Sequence, residues 1–216
     1  METQERANGM DDGENGVPSG TVRTPDEALA ELMAGNRRYV ESTIFNHDFS
    51  VARASAPDVH SPIAGILSCS DARVASEIIF DRGPGDLFMV RVAGNYLSEY
   101  GLASLEYCVE YSNTPLLMVL GHTQCGAVTA ALKVVKEKTR LPGSLPFLIG
   151  AIEASVHSAE DSHPEDLLYA SIVENVRRNV SRLQTISPII NEAQAQGRVK
   201  VVGGVYDLSD GKVTLV

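Results

Sequence analysis

Two cysteines and one histidine stand where apolar runs end: Cys69 opens the segment Cys69-Ser70-Asp71-Ala72-Arg73, and His122-Thr123-Gln124-Cys125 follows further along the chain. Two thiolates and an imidazole make a zinc donor set. Three protein ligands rather than four leave one position for water or substrate, which is the catalytic form of such a site. The two-residue gap between His122 and Cys125 lets both side chains reach one ion at roughly 2.0 to 2.3 Å. Cys69 must then come from a neighbouring strand end. A lone His-x-x-Cys carries little weight, but equivalent positions at strand ends strengthen it.

Asp71 and Arg73 alternate with Cys69, so the three side chains can share a side. A guanidinium fork fixes a carboxylate in orientation and keeps it ionised. The plain reading is a surface ion pair of small energetic value. In the sharper reading, Asp71 held by Arg73 accepts a hydrogen bond from zinc-bound water; if Arg73 let go, Asp71 could take the fourth metal position and close the site. Gly126 begins a helix whose first amides are free, and no side chain blocks a small oxyanion there. It also permits the turn.

What positions these groups is an alternation of strands and helices. Apolar runs at Ile63 to Ser68, Leu87 to Val92, Leu116 to Leu120 and Val199 to Val205 read as strands of a parallel sheet covered on both faces. Helical patterns lie between them at Val74 to Phe80, Ser98 to Tyr111 and Ala127 to Lys136. Two more follow at Leu145 to Ser158 and Glu165 to Ala195, the latter broken near Pro188. Ser209-Asp210-Gly211-Lys212 turns the chain into a terminal strand, Val213 to Val216, expected to pair antiparallel. The expected fold is therefore α/β: a mostly parallel sheet of four strands plus an antiparallel terminal strand, flanked by helices. At the front, Thr24-Pro25-Asp26-Glu27 reads as a capping box for a helix to about Val40 with Leu29, Leu32, Met33 and Tyr39 on one stripe. Right-handed crossovers bring the C-terminal ends of the parallel strands to one edge, and the Cys69, Arg91 to Asn95 and His122 segments all fall there.

The 216 residues, 44% hydrophobic, suffice for one domain over 24–216, with 24–62 as a helical arm and an interfacial loop holding His47, Asp48 and Phe49. A net charge of -10 argues against nucleic acid or an acidic membrane as partner. Residues 1–23 read as a disordered acidic tail without a signal-peptide core or membrane span, which makes the cytoplasm the expected compartment. Three cysteines suit that compartment and do not read as a disulfide framework. Cys108 reads as a packed thiol.

Taken together, Cys69-x-Asp71-x-Arg73, Arg91-x-Ala93-Gly94-Asn95 and His122-x-x-Cys125-Gly126 resemble the motifs of the β-class carbonic anhydrases, over about Pro25 to Gly211. The resemblance implies reversible hydration of carbon dioxide to bicarbonate and a proton by a zinc-bound hydroxide, with zinc on Cys69, His122 and Cys125 and the Asp71–Arg73 dyad beside it. It also implies a homodimer or higher homo-oligomer whose N-terminal helix embraces the partner. Tyr107 matches an active-site tyrosine of plant-type members and Tyr206 a tyrosine of bicarbonate-inhibited bacterial ones. Those bacterial members carry Trp and Gly where this chain has Ile66 and Ser68, which favours the open form. Ile66, Val92, Tyr96, Leu97 and Tyr107 are candidate walls for an apolar substrate approach, each with an ordinary core role as the alternative.

His60-Ser61-Pro62 departs from the family's glutamine, a substrate-binding donor usually reaching across the dimer interface. A neutral imidazole there could donate likewise, and a titrating one could relay the proton; an exposed loop histidine is the equal alternative. His47 is a weaker shuttle candidate. His157 and His163 read as solvated, as do Glu106, Glu110 and the charges of Lys133 to Arg140. Two rival readings keep the zinc: hydrolysis of carbon disulfide or carbonyl sulfide, and a non-catalytic zinc-stabilised binding protein. Thiol redox is disfavoured because Cys69 and Cys125 form no Cys-x-x-Cys pair.

Overall fold

The computed structural model describes residues 24–55 and 60–216, so the acidic tail lies outside the described residues. Thr24 caps α1 (Pro25–Val40) as the sequence predicts: its hydroxyl accepts from the Glu27 amide at 3.2 Å, and the Glu27 carboxylate accepts from the Thr24 amide at 3.0 Å.

Four strands run parallel in the order β2 (Leu87–Arg91), β1 (Ala64–Ser68), β3 (Leu116–His122), β4 (Lys200–Tyr206), and β5 (Val213–Leu215) closes the sheet antiparallel to β4. Every residue of β1 and β3 is buried, because helices cover both faces. Side chains alternate between two cores. Leu67, Leu117, Val119, Val201 and Val205 meet α4 (Glu99–Ser112), α5 (Gly126–Glu137), α6 (Leu145–Asp161), α7 (Leu167–Ile186) and α8 (Pro188–Ala195). Ile66, Leu116, Met118, Leu120 and Tyr206 face α1 and the short α3 (Ser76–Ile79). From β1 the chain crosses outward to β2 and then returns past β1 to β3. The order thus reverses between β1 and β3, where open α/β sheets place their ligands.

Three boundaries differ from expectation. The loop after α1 contains a helical turn, α2 (Val51–Ser55); α3 is only four residues long; and Pro188 begins a separate helix. The last follows from proline's missing N–H, which suits the first turn of a helix but not its interior. Ser187 caps α8, accepting from the Ile190 amide at 3.1 Å. Its own hydroxyl donates to Glu106 at 2.6 Å, so Glu106 ties α4 to α8 and is not simply a solvated charge.

The arm is anchored to its own chain. Ala28, Leu32, Gly35 and Asn36 of α1 are buried, and the Asn36 side chain donates to the carbonyls of Ile79 and Gly211 while accepting from the Val213 amide. The buried face of α1 is therefore committed to its own protomer. A Cβ on Gly35 would stand 1.8 Å from the Phe80 carbonyl oxygen. Gly35→Ala is expected to cost at least about 3 kcal/mol, since backbone must move to admit it, and to lower Tm by roughly 6 to 12 °C in thermal denaturation. The loop beyond α1 is fixed by buried Asp81, whose carboxylate accepts from the Arg38 guanidinium, the Phe45 amide and the His47 ring, the last at 2.7 Å. His47 is thus engaged in a structural contact with Asp81. Arg82, also buried, pairs with Glu31. Among the described residues, no helix is long and apolar enough to cross a membrane.

Candidate metal centre

Cys69 is the first residue beyond β1, His122 is the last of β3, and Cys125 occupies the N-cap position of α5. Adjacent parallel strands therefore deliver all three donors to the reversal point. Their ligand atoms lie within 4.8 Å of one another and all three residues are buried. His122 Nδ1 lies 2.9 Å from the Thr123 carbonyl, so that nitrogen carries the proton and donates. Nε2 is left bare, buried and without a partner, aimed at the two sulfurs. A buried lone pair costs free energy unless something accepts it. Two thiols and a bare imidazole nitrogen fit zinc in donor type and number, with the backbone contact behind the ring that such ligands require.

The two sulfurs are coupled: the Cys125 thiol donating to Cys69 lowers Cys69, helped by the amides of Asp71 and Gly94, while the same bond and burial raise Cys125. The Asp71 and Gly94 amides stand 3.4 and 3.3 Å from Cys69 Sγ. Cys108, by contrast, is pushed up to about 11 by burial, with its S–H donating to Thr114, the packed thiol its sequence context predicts.

Arg73 grips Asp71 with both arms of the fork: Nε donates to Oδ1 at 3.0 Å and a terminal nitrogen to Oδ2 at 2.8 Å, while the Arg73 amide adds a third bond at 2.9 Å. These bonds hold the Asp71 carboxyl well below the usual carboxylate range, so it is ionised at every pH of interest. Arg91 contributes a part that spacing alone did not assign. It donates to the carbonyl oxygens of Cys69 at 3.2 Å and Asp71 at 2.8 Å, pinning the turn that carries ligand and carboxylate together. Its place in the edge segment at the end of β2, and in the Arg91-x-Ala93-Gly94-Asn95 motif, was the sequence signal for it.

Gly126 is exposed, and no atom lies within 4 Å of where its Cβ would be, so the start of α5 faces open space. Of the candidate walls, Ile66 and Leu97 are fully buried in opposite cores, while Val92 and Tyr96 are half-buried, Tyr96 with Arg182 over its ring at 5.5 Å. Tyr206 sits beside His122 in the β3–β4 register, its hydroxyl 3.3 Å from that of Tyr39. His60 and Tyr107 are not brought to the centre within one chain. His60 lies before β1 and contacts Ser112 at the far end of α4, a strand length or about 17 Å from the cysteine edge. Tyr107 projects from α4, 54% exposed and stacked on Tyr111 at 4.8 Å. His157 and His163 are exposed, as expected.

The family model described as carbonic anhydrase matches residues 64–213. Carbonic anhydrase 2 of Mycobacterium tuberculosis is 38% identical over 194 residues, which span 88% of this chain and 92% of that protein. A solved Coccomyxa β-carbonic anhydrase, in complex with acetazolamide, is 27% identical with a TM-score of 0.65, covering 88% of this chain and 82% of that one. One of two tetrameric β-carbonic anhydrases of the ascomycete Sordaria macrospora has the same fold at 22% identity, with a TM-score of 0.69 and coverage of 88% and 93%.

Proposed function

The chain belongs to the β class of carbonic anhydrases, and on that premise we propose that it catalyses reversible hydration of carbon dioxide to bicarbonate and a proton at Cys69, His122 and Cys125. The observation that carries the reading is the bare, buried Nε2 of His122 facing two sulfurs within 4.8 Å, with an ionised carboxylate one turn away. Zinc bound there would supply a Lewis acid that makes a hydroxide-like nucleophile available near neutral pH. The protein's own groups then divide the remaining work. Asp71, ionised and held by Arg73, accepts a hydrogen bond from the attacking water and so orients a lone pair toward the substrate carbon. Because both Asp71 oxygens are engaged by Arg73, the carboxylate is kept from competing as a fourth ligand, which supports the open form. Gly126, exposed at the start of α5 with open space beside it, would offer its amide to the oxygen on which charge develops.

His60 and Tyr107 join the site only if a second copy brings them, which supports a homodimer or larger homo-oligomer. Two features favour such an assembly: among the described residues the outer edge of β2 has no strand beside it, and Tyr100, Tyr107 and Tyr111 form an exposed ridge along neighbouring α4, with Tyr100 87% exposed. The tetramers known from Sordaria point the same way. Three free cysteines among the described residues fit a reducing compartment, the cytoplasm.

Stopped-flow hydration of carbon dioxide on metal-quantified protein tests the proposal. Activity is expected to follow bound zinc, at one ion per chain, and to fall by at least about 10³-fold when a chelator strips it. Equal rates in stripped and loaded protein would overturn it.

A further inference from the structure

Behind Cys69 a buried polar ladder crosses from α6 through α7 to the sheet edge. Asn175 of α7 donates from Nδ2 to the Gly94 carbonyl at 2.8 Å, and the Gly94 amide in turn faces Cys69 Sγ at 3.3 Å. Asn175 Oδ1 is itself oriented, accepting from Ser155 at 3.4 Å and from Asn179 at 3.3 Å. Asn175 and Asn179 are each 2% exposed and Ser155 1%. Burying three polar side chains in an apolar bundle is costly unless every one is satisfied, and a helix that only needed to cover the sheet would carry apolar residues here.

Gly94 cannot hold its own position by packing a side chain. It lies at φ +68, and a Cβ would stand 2.6 Å from Ile152 Cδ1 and 3.0 Å from Ala127 Cβ. Only glycine fits, and glycine has the freest backbone of any residue. Its N–H and its carbonyl belong to successive peptide planes; the second plane is held by the Asn95 amide on the Val92 carbonyl at 2.8 Å and by Asn175 on the Gly94 carbonyl, and that anchor limits how the first plane, with the N–H, can turn. We infer that Asn175 is a positioning residue of the metal centre: with the Asn95 amide bond beside it, its grip on the Gly94 carbonyl keeps the turn in the form that brings the Gly94 amide to the sulfur of Cys69, and so supports the orientation of that ligand. Outer contacts of this kind are worth roughly 10 to 100-fold in metal affinity. The neighbouring Asn179 belongs to the same ladder: its Nδ2 donates to Asn175 at both Oδ1 and the backbone carbonyl, while its Oδ1 accepts from the Leu97 amide at 2.9 Å.

The inference rests on the metal-site reading above, and the experiment separates the two. Asn175→Leu and Asn36→Leu remove buried side chains of equal size, but Asn36 ties α1 to Ile79, Gly211 and Val213 and makes no bond to the ladder. Zinc affinity would be measured by chelator competition, thiolate ligation by the charge-transfer band of the cobalt(II)-substituted protein, and stability by Tm. Asn175→Leu is expected to weaken zinc binding by roughly 10-fold or more and to shift the cobalt band. Asn36→Leu is expected to lower Tm to a similar degree with affinity and band close to wild type. Should Asn175→Leu fail to fold, Asn175→Asp keeps the shape while turning an acceptor toward the Gly94 carbonyl, and the same loss of affinity is expected. Wild-type affinity in a folded Asn175 variant, or parallel losses in the two leucine variants, would overturn the inference. A wild-type chain that binds no zinc would instead end the functional reading itself.

Discussion

Cys125→Ser protein is expected to lose tight zinc binding by more than about 100-fold, beyond what contacts behind a ligand are worth, and to lose hydration of carbon dioxide by at least about 10³-fold at neutral pH. The reason is chemical rather than structural. Cys125 stands at the N-cap of α5, where serine is itself among the preferred residues, so the helix keeps its start. What disappears is a soft anionic donor, since an alcohol does not ionise in the range where a thiol does. Without the ion, the acidity of water returns from about 7 toward 15.7, and the hydroxide-like population falls by roughly eight orders of magnitude. Metal analysis and stopped-flow rates on one preparation give both numbers. A serine variant that is zinc-free and yet as fast as wild type would show that the chemistry lies elsewhere.

The second large effect concerns Asp71. Asp71→Asn is expected to lower kcat by roughly 10² to 10⁴-fold, the usual worth of a positioned proton acceptor, while moving Tm hardly at all. The dissociation of rate from stability is what distinguishes the roles. Arg73 is 54% exposed at its side chain and Asp71 20%, so as an ion pair alone the dyad is worth no more than about 1 kcal/mol. An amide in place of the carboxylate can still accept from Arg73 through its oxygen but presents an NH2 where the second acceptor stood. The sign of the pH dependence follows from the direction of the shift. Asp71 is held well below the ordinary carboxylate range by Arg73, so it stays charged from neutral pH down into the acid range, and no limb of the wild-type profile near neutrality belongs to it. Rates across pH on both proteins, with parallel melts, check this; equal kcat in the two would reduce the dyad to a surface pair.

How much of this was legible in the sequence depended on whether the signal was local. The capping box at Thr24, the apolar runs of β1 and β3 and the spacing of His122 and Cys125 are short-range patterns, and each appears where expected. Three strand exits at one sheet edge follow from connection rules, so convergence of Cys69 with His122 and Cys125 was also within reach. Contacts made by backbone atoms of distant segments were not. Nothing in the residue types of Arg91 announces that its guanidinium grips the carbonyls of Cys69 and Asp71, since any residue offers a carbonyl. Asn175 and Asn179 look like ordinary polar positions on an amphipathic helix until the fold places them against Gly94 and Leu97. Glu106 and His47 misled for the same reason. Charge and exposure go together on average, and each has a specific partner from a distant part of the chain, Ser187 and Asp81.

Asp81 repays a final look, because one carboxylate answers to α1 through Arg38, to the following loop through Phe45 and His47, and to its own position beyond α3. A buried acceptor shared by these three donors ties the C-terminal end of α1 and the loop after it to the exit of α3. Release of that end of α1 therefore takes away an anchor of the loop as well, so the two are expected to open together. A protease probing the native protein is expected to cut around residues 41–47 only in molecules in which that end of α1 has come away.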